Sequence, residues 1–443
     1  MTSDTTQDSM GSARHSRRHL LIVIGVALVL RLAVFGLIYG VRHAGPGDLG
    51  GGDAPAYMAM AHYIYATGAM SNTLFLPRPP LFPALAALLY SFTGENVWGP
   101  IVLNFVMGVL TCAVIYQLAR AVGQSPRWAL IAGLIAAVYP AMLLSSVSFL
   151  TEAPFLLFYA LALLLLARFI AAPNWRDLLL AAATLACATL TRLITLALPA
   201  LLVILLFALI ARRDRRWVQY AAVFVFISAL PWAVLTFRSW YYNGIATPST
   251  TGQWVLLFMR ATSSERRVTG EAAPVIYARY IQEIERRLGH TVPPLDSIKP
   301  EAIWGYFQPT PEMQTVISQM AIEKNLAYPQ WYILNSFYGL YRIFLMGDEA
   351  IMPLAIHIPL QLAFVLLACV GLWQTWRRDR RFAWLLGLPA LFALGTTIAL
   401  ETAVLDTRHG LPVALPMCVL AAQGIAFAWA RWQARRSQRL AIS

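Results

Sequence analysis

Long apolar runs, most of them ending in a short group of arginines, dominate the pattern of hydrophobic and polar positions along the chain. An α-helix needs about 20 mainly apolar residues to cross the hydrocarbon core of a bilayer. The pattern therefore predicts an all-α, polytopic membrane protein with about ten transmembrane helices. The first three lie at about 19–41, 97–119 and 127–143. The fourth runs from Glu152 to about 168, the fifth ends near 189, and the sixth runs from just after Arg192 to Arg212. The last four lie at about 217–236, 351–375, 382–400 and 411–429.

Two long polar connections interrupt the apolar runs. In the first, residues 42–96, aromatic and apolar residues at helical spacing predict a short helix on the membrane surface over 55–68, and a Pro-Pro pair starts a second one over 79–92. The other connection spans residues 237–350 and contains an amphipathic stretch at 328–346, which we interpret as an interfacial or re-entrant helix. The resulting domain organisation has a tail (1–18), a transmembrane core (19–236), the large loop (237–350), C-terminal transmembrane helices (351–431) and a second tail (432–443).

The arginines set the expected orientation. Groups of arginines precede the first apolar run, follow the sixth, separate the eighth from the ninth and follow the last. Loops on the cytoplasmic side of a membrane carry an excess of Lys and Arg. We therefore expect both termini in the cytoplasm, both long connections outside it, and a location in a bacterial-type inner or cell membrane.

Composition narrows the class of function. The chain is 59% hydrophobic and 12% charged, whereas soluble domains have about 25% charged residues. Its formal net charge is +13, but the arginines stand in blocks between apolar runs, so we expect no nucleic-acid partner. The four cysteines lie inside apolar runs and show neither disulfide nor metal-ligand spacing.

One set of polar residues falls at the predicted external ends of the helices. They are Asp53, Arg78, Glu152, Arg192, Arg238, Asp406 and Arg408, with His409 beside the last. Carboxylates can act as general bases, and arginines bind phosphate through bidentate, permanently charged contacts. Residues of these types at one membrane surface favour a reaction on a lipid-linked phosphate. Arg31, inside the first apolar run, either faces the bundle interior or snorkels.

Several of these residues lie in motifs that resemble GT-C glycosyltransferases, a group that includes protein O-mannosyltransferases and lipid A aminoarabinose transferases. The motifs, in chain order, are G-D-x-P-x-Y-x-x-x-A from Gly52, R-P-P-L-F-P from Arg78, SVSFLTEAP from Ser146, TRLITLALP from Thr191, PWAVLTFRSWYYNG from Pro231 and DTRHGLPVALP from Asp406. The resemblance covers most of the chain.

The resemblance implies a polyprenyl-phosphate sugar as donor, an extracytoplasmic acceptor, and inversion at the anomeric carbon of a hexose or pentose. It implies that Asp53 is the general base. Many relatives have Asp-Glu where this chain has Asp53-Ala54, so a second carboxylate either comes from elsewhere or is not needed. Glu152 is the matching candidate. Arg78, Arg192 and Arg408 are the candidates for binding the donor phosphate. Tyr57 and His409 are the candidates for contacting substrate.

Each of these residues also has a structural interpretation. Glu152 suits the first turn of a helix, with Thr151 as its cap, and Arg192 and Arg408 could simply pair with Glu152 or Asp406. Arg238 could snorkel, and His409 could be structural. No metal motif is visible, although Asp53 and Glu152 could share a divalent ion.

An alternative function is a transporter or flippase for a lipid-linked or polar substrate. Transporters place their ionisable groups near the bilayer midplane, on broken helices within repeated halves. Here the charged residues stand at helix ends and the two halves of the chain do not match, which favours the transferase.

Overall fold

The computed structural model describes residues 4–49, 53–70, 78–210, 215–291, 310–345, 353–400 and 407–442, and every regular element in them is helical. The first helices are α1 Asp4–Phe35, α2 Asp53–Thr67, α3 Leu81–Thr93, α4 Trp98–Ala121, α5 Pro126–Val138, α6 Pro140–Ser146, α7 Glu152–Ala171, α8 Trp175–Thr191, α9 Leu198–Ile210 and α10 Trp217–Asn243. The later ones are α11 Thr251–Trp254, α12 Thr262–Thr269, α13 Ala273–Leu288, α14 Pro311–Ala327, α15 Pro329–Leu345, α16 Leu354–Arg378, α17 Arg380–Leu400 and α18 Leu411–Ile442.

The expected all-α, polytopic membrane fold is confirmed, with fewer full-length spans than the sequence predicts. Among the described residues seven helices are long and apolar enough to cross a membrane: α1, α4, α7, α10, α16, α17 and α18 with their flanking turns. An eighth crossing is formed if α5 and α6, bent by 62° at their junction, count as one span. The bend lies at Pro140, which starts α6 after Tyr139 in an extended conformation.

The two remaining predicted spans coincide with α8 and α9. Helix α8 has 17 residues and so measures about 26 Å at 1.5 Å per residue, slightly less than the roughly 30 Å hydrocarbon core. A 3-10 turn, Leu193–Thr195, separates α8 from α9. Counting both α8 and α9, or neither, changes the number of crossings by two and so does not affect which sides the two termini occupy.

The arginine-rich loops meet at one end of the bundle. Arg381 Nη1 donates to the carbonyl oxygen of Ile170 at 3.3 Å, which joins the end of α7 to the start of α17. The guanidinium of Arg127 lies 5.3 Å from the ring centre of Trp429 on α18. These contacts join loops that are distant in sequence, as the arginine pattern predicts.

The opposite end carries the surface helices. Helix α2 runs nearly as predicted and ends at Gly68, whose φ of 70° suits glycine. Helix α3 follows the Pro-Pro pair, and the amphipathic stretch forms α15. Helices α11, α13 and α14 share a small core of their own, built on Trp254, Leu257, Phe258, Ile276, Tyr280, Ile284, Met313, Ile317 and Met320.

Helices α16 and α18 cross in close contact at two glycines. A Cβ atom placed at Gly371 would overlap the carbonyl oxygen of Leu420, and one placed at Gly424 would overlap that of Leu367. Only residues without a side chain allow backbones to approach so closely. This crossing helps to position α18, which directly follows the turn that contains Arg408.

We expect Gly371→Ala and Gly424→Ala to destabilise the protein by about 1–3 kcal/mol or more, because backbone rather than a flexible side chain blocks the new methyl group. The matched control is Gly395→Ala in α17, where a Cβ would meet nothing within 4 Å. There alanine should be neutral or stabilising by up to about 1 kcal/mol. Thermal unfolding in one detergent measures all three; equal midpoints for Gly371→Ala and Gly395→Ala would contradict the crossing.

Candidate active site

Five charged side chains from distant parts of the chain meet at the end of the bundle away from the arginine-rich loops. Asp53 Oδ1 lies 3.6 Å from Arg78 Nη2, and Asp53 Oδ2 lies 3.0 Å from Arg408 Nη2. Glu152 Oε1 is ion-paired with Arg192 and lies 3.9 Å from Arg408 Nη1. We call Asp53, Arg78, Glu152, Arg192 and Arg408 the charged cluster. Arg408 bridges its two carboxylates.

Asp53 is the first residue of α2, where a carboxylate interacts favourably with the helix dipole. The helix is held by Ala54 and Ala61, which pack in one buried group with Phe82 and Phe149. The side chain of Asp53 remains 44% exposed. It can therefore be reached by another molecule while its own helix stays fixed.

The position of Arg78 is fixed by the two prolines that follow it and by a hydrogen bond to its backbone. Its side chain is only 10% exposed, and the following Pro79 and Pro80 are buried, with Pro80 at the N-terminus of α3. Arg238 Nη1 donates to the carbonyl oxygen of Arg78 at 3.0 Å. The snorkelling considered as an alternative for Arg238 does not occur, because this buried guanidinium is directed into the protein and holds the backbone of Arg78.

Glu152 begins α7, and its side chain is 3% exposed. Thr151 occupies the N-cap position but its side chain makes no capping hydrogen bond, so that part of the prediction is wrong. Hydrogen bonds from other helices hold the segment before Glu152 in place instead. Asn104 Nδ2 donates to the carbonyl oxygens of Ser148 and Leu150 at 2.8 Å each, and Tyr39 Oη donates to that of Val147 at 2.6 Å.

Sequence reasoning missed Asn104. It is fully buried in α4, and the available signal was a lone amide within an apolar span. A polar side chain there must find partners within the protein, because lipid offers none. Its partners turn out to be the two carbonyl groups that set the path of the chain into Glu152.

Arg192 and Arg408 stand in breaks between helices. Arg192 follows α8 in an extended conformation and directs its side chain to Glu152, so the structural pair considered for it does form. Arg408 lies in the 3-10 turn Thr407–Gly410 and contacts both Asp53 and Glu152. Asp406, the other partner considered for Arg408, lies outside the described residues.

Tyr57 lies one helical turn after Asp53, on the same face of α2. The guanidinium of Arg78 is 5.7 Å from the centre of its ring, and Phe82 meets the ring edge-on. Burial and the charge of Asp53 raise the pKa of Tyr57, partly offset by Arg78, so its hydroxyl stays a neutral hydrogen-bond donor. His409 lies partly buried in the turn that carries Arg408. The proposed substrate contacts of both residues stay predictions.

Arg31 lies elsewhere in the bundle. It is 1% exposed, and its guanidinium donates to Ser146 Oγ at 3.0 Å and to the carbonyl oxygen of Ala27 at 3.2 Å. A Cβ at Gly108 would lie 2.8 Å from Arg31 Nε, so this glycine makes room for the guanidinium. The interior interpretation of Arg31 is therefore correct, and snorkelling is wrong.

The charged cluster has a net charge of +1, from three arginines and two carboxylates. In a partly buried site such an excess attracts an anion more strongly than in water. The arrangement does not fit a divalent metal, because the guanidinium of Arg408 lies between the two carboxylates that would share it. No group of three or more His, Cys, Asp or Glu that could hold a metal occurs in the described part of the chain.

Part of the chain is similar in sequence to a known protein family. The family model of dolichyl-phosphate-mannose-protein mannosyltransferases matches residues 77–235, which include Arg78, Glu152 and Arg192. No protein of curated function matches the sequence.

Two of the similar solved structures are of oligosaccharyltransferase from Archaeoglobus fulgidus, the first of them named as AglB. The complex with an inhibitory peptide and a dolichol-phosphate has a TM-score of 0.56 at 15% identity, covering 95% of this chain and 52% of that chain. The form tethered to an acceptor peptide has a TM-score of 0.54 at 15% identity, covering 96% and 51%. This chain thus spans about half the length of AglB.

The structure of ArnT from Cupriavidus metallidurans bound to undecaprenyl phosphate aligns at 16% identity over 90% of this chain and 77% of that chain. Its TM-score of 0.37 is too low to support an argument. The AglB matches show a shared fold, and with the mannosyltransferase family model they confirm the resemblance to the GT-C superfamily.

Because Glu152 is buried and Asp53 is exposed, replacing each carboxylate by an amide should lower the stability of the protein by different amounts. Glu152→Gln should destabilise the protein by about 3–5 kcal/mol, because it removes a carboxylate that is 3% exposed and pairs with Arg192 and Arg408. Asp53→Asn should cost at most about 1 kcal/mol, since its carboxylate is 44% exposed. Thermal unfolding of the two variants tests this. A smaller loss for Glu152→Gln than for Asp53→Asn would show that Glu152 is not the buried partner.

Proposed function

We propose that this chain, which has the fold of the GT-C membrane glycosyltransferases, transfers a sugar from a polyprenyl-phosphate donor to an extracytoplasmic acceptor with inversion at the anomeric carbon. The proposal rests on the charged cluster, in which an accessible carboxylate lies between two arginines at one end of the bundle. The dolichol-phosphate and the acceptor peptide named for AglB support a lipid-phosphate donor and a separate acceptor.

In this proposal Asp53 is the general base. The hydroxyl of an acceptor is too weak an acid to attack a sugar carbon without losing its proton to a group within hydrogen-bond reach. Asp53 is the more exposed carboxylate of the cluster, whereas Glu152 is 3% exposed and paired with Arg192. Glu152 therefore serves best as the fixed negative charge that orients Arg192 and Arg408.

The three arginines bind the phosphate of the donor and stabilise it as it leaves. The acceptor oxygen forms a bond to C1 of the sugar, the bond from C1 to the phosphate oxygen breaks, and the proton passes to Asp53. Guanidinium groups suit this task because they stay charged and make paired hydrogen bonds to phosphate oxygens. Arg78 and Arg408, now on Asp53, would shift their contacts to the incoming phosphate and release the carboxylate as a base.

The charges balance throughout this reaction. The cluster carries +1, so a bound phosphodiester with one negative charge makes the site neutral. After transfer the lipid phosphate carries two negative charges, but Asp53 has been protonated, so the total remains zero. Neither state leaves a large uncompensated charge in a partly buried site, which would be costly.

The proposed orientation follows from the polarity of the bundle. The arginine-rich loops lie at the end opposite the charged cluster, and the positive-inside rule assigns that end to the cytoplasm. Helices α2, α3 and α11–α15 would then cover the site from outside. The lipid donor would reach it from the outer leaflet, and the acceptor from the extracytoplasmic space.

We expect Asp53→Asn to lower sugar transfer by about 10²–10⁴-fold, the usual contribution of a general base. The assay is release of free polyprenyl phosphate from polyprenyl-phosphate sugars, with a cell-envelope extract as the source of acceptor. Asp48→Asn is the matched control, because Asp48 lies in the same connection and its exposed side chain accepts only a local hydrogen bond from Gly45 N. Full transfer by Asp53→Asn would rule out the assigned base.

We expect Arg78→Ala to weaken binding of polyprenyl phosphate by about 10–100-fold, since a hydrogen bond to a charged group contributes about 1.5–3 kcal/mol. Arg266→Ala, which removes an exposed arginine of α12, should bind normally. Mass spectrometry of co-purified lipid and titration with added lipid give the affinities. If wild-type protein binds no polyprenyl phosphate, the donor assignment fails; substrate translocation into vesicles without a covalent product would then identify a transporter.

A further inference from the structure

Arg260 is a fully buried arginine outside the charged cluster, in the π-helical turn Val255–Ala261. Its Nη1 donates to the carbonyl oxygen of Ile398 at 2.8 Å, and its Nη2 donates to that of Tyr332 at 2.6 Å. Nη2 also donates to Ser336 Oγ, and the guanidinium stacks 3.8 Å from the centre of the Tyr332 ring. One side chain thus joins three segments: its own turn, α15 and the last turn of α17.

Neighbouring contacts reinforce this junction. Tyr332 Oη donates to the carbonyl oxygen of Ala399 at 2.8 Å, one residue beyond the carbonyl that Arg260 holds. On the next turn of α15 the buried Asn335 accepts a hydrogen bond from Arg267 Nε at 2.9 Å. Helix α15 is therefore fastened on one side to the end of α17 and on the other to α12.

Both segments fixed by Arg260 are close, in sequence or in space, to the turn that contains Arg408. Helix α17 ends at Leu400, only a few residues before the 3-10 turn Thr407–Gly410. Helix α15 lies against that same turn, since a Cβ placed at Gly410 would come within 2.6 Å of Ile343 Cγ2. The turn that carries Arg408 is therefore bounded by two elements whose relative position Arg260 sets.

We infer that Arg260 is a positioning residue for Arg408, and that through it the helices α11–α15 control how the site binds the donor phosphate. The inference rests on the proposed function and extends it to the large loop. Arg260 acts without touching substrate. Without Arg260, three hydrogen-bond acceptors in a tightly packed junction would lack their donor, and α15 and α17 would separate. Arg408 would then move away from Asp53 and Glu152.

The uncharged partners of Arg260 support this role. Among the described residues no carboxylate lies within ion-pair distance of it, so its charge is held by two carbonyls, a hydroxyl and an aromatic face. The rigid fork of a guanidinium can satisfy these acceptors together, whereas the single ammonium of lysine cannot. Arg260→Lys therefore keeps the charge and removes the junction.

The first measurement is a double-mutant cycle on the affinity for polyprenyl phosphate. Arg408→Gln should weaken binding, and Arg260→Lys should weaken it by about tenfold. If Arg260 acts through Arg408, Arg260→Lys should have no further effect in the Arg408→Gln background, yet should retain its effect in the Arg78→Ala background. Arg266→Lys is the control. Unchanged binding in Arg260→Lys, or an equal loss in both backgrounds, overturns the inference.

A second measurement does not depend on the donor. Hydrogen exchange of the amides of residues 407–410, without lipid, should be at least several-fold faster in Arg260→Lys, while exchange in α2 stays unchanged. Slow exchange at 407–410 in the variant overturns the inference even if the proposed function holds. Fast exchange there, combined with wild-type protein that binds no polyprenyl phosphate, would sustain the coupling to Arg408 and overturn the proposed function alone.

If Arg260→Lys does not fold, Tyr332→Phe tests the same junction. It retains the ring beneath Arg260 and removes only the hydrogen bond to Ala399. The expected changes in exchange and affinity have the same direction and smaller size. Wild-type values for both quantities in Tyr332→Phe would then count against the inference.

Discussion

The arrangement of the site depends on one buried interaction, the pairing of Glu152 with Arg192 and Arg408. A carboxylate that is 3% exposed is stable only if nearby positive charge compensates its lost hydration. The two arginines that do so come from the break after α8 and from the turn before α18. The electrostatic need of one side chain thus ties three helices together at the same end of the bundle.

Hydrogen bonds to backbone carbonyl groups hold the charged residues of the site in place. The carbonyls before Glu152 are held by Asn104 and Tyr39, and the carbonyl of Arg78 is held by Arg238. In each case a polar side chain from a helix fixes the backbone of a non-helical segment. Within a membrane protein such carbonyls must find donors inside the protein, so satisfying them also places the charged residues that follow.

The sequence predicted the features that depend on order along the chain. Hydropathy located the long helices, and because each crossing reverses the side of the next loop, it also predicted that Asp53, Arg78, Glu152, Arg192 and Arg408 would share one end. It could not predict that Arg408 bridges two carboxylates or that Arg238 turns inward. Those contacts depend on side-chain directions between helices that are distant in sequence. That α8 and α9 cross the membrane stays a prediction, because both are shorter than a typical span and apolar composition does not fix the length of a helix.

The buried arginines outside the charged cluster indicate why its charges remain available. Arg31 and Arg260 have no carboxylate within ion-pair distance in the described part of the chain, and both are held by carbonyl, hydroxyl, thiol or aromatic groups. A cation held in this way needs no acidic residue. Asp53 and Glu152 can therefore pair with arginines that face the proposed phosphate site. An incoming anion can then compete for Arg78 and Arg408, which lie on the exposed carboxylate, while the buried pair of Glu152 and Arg192 keeps the site assembled.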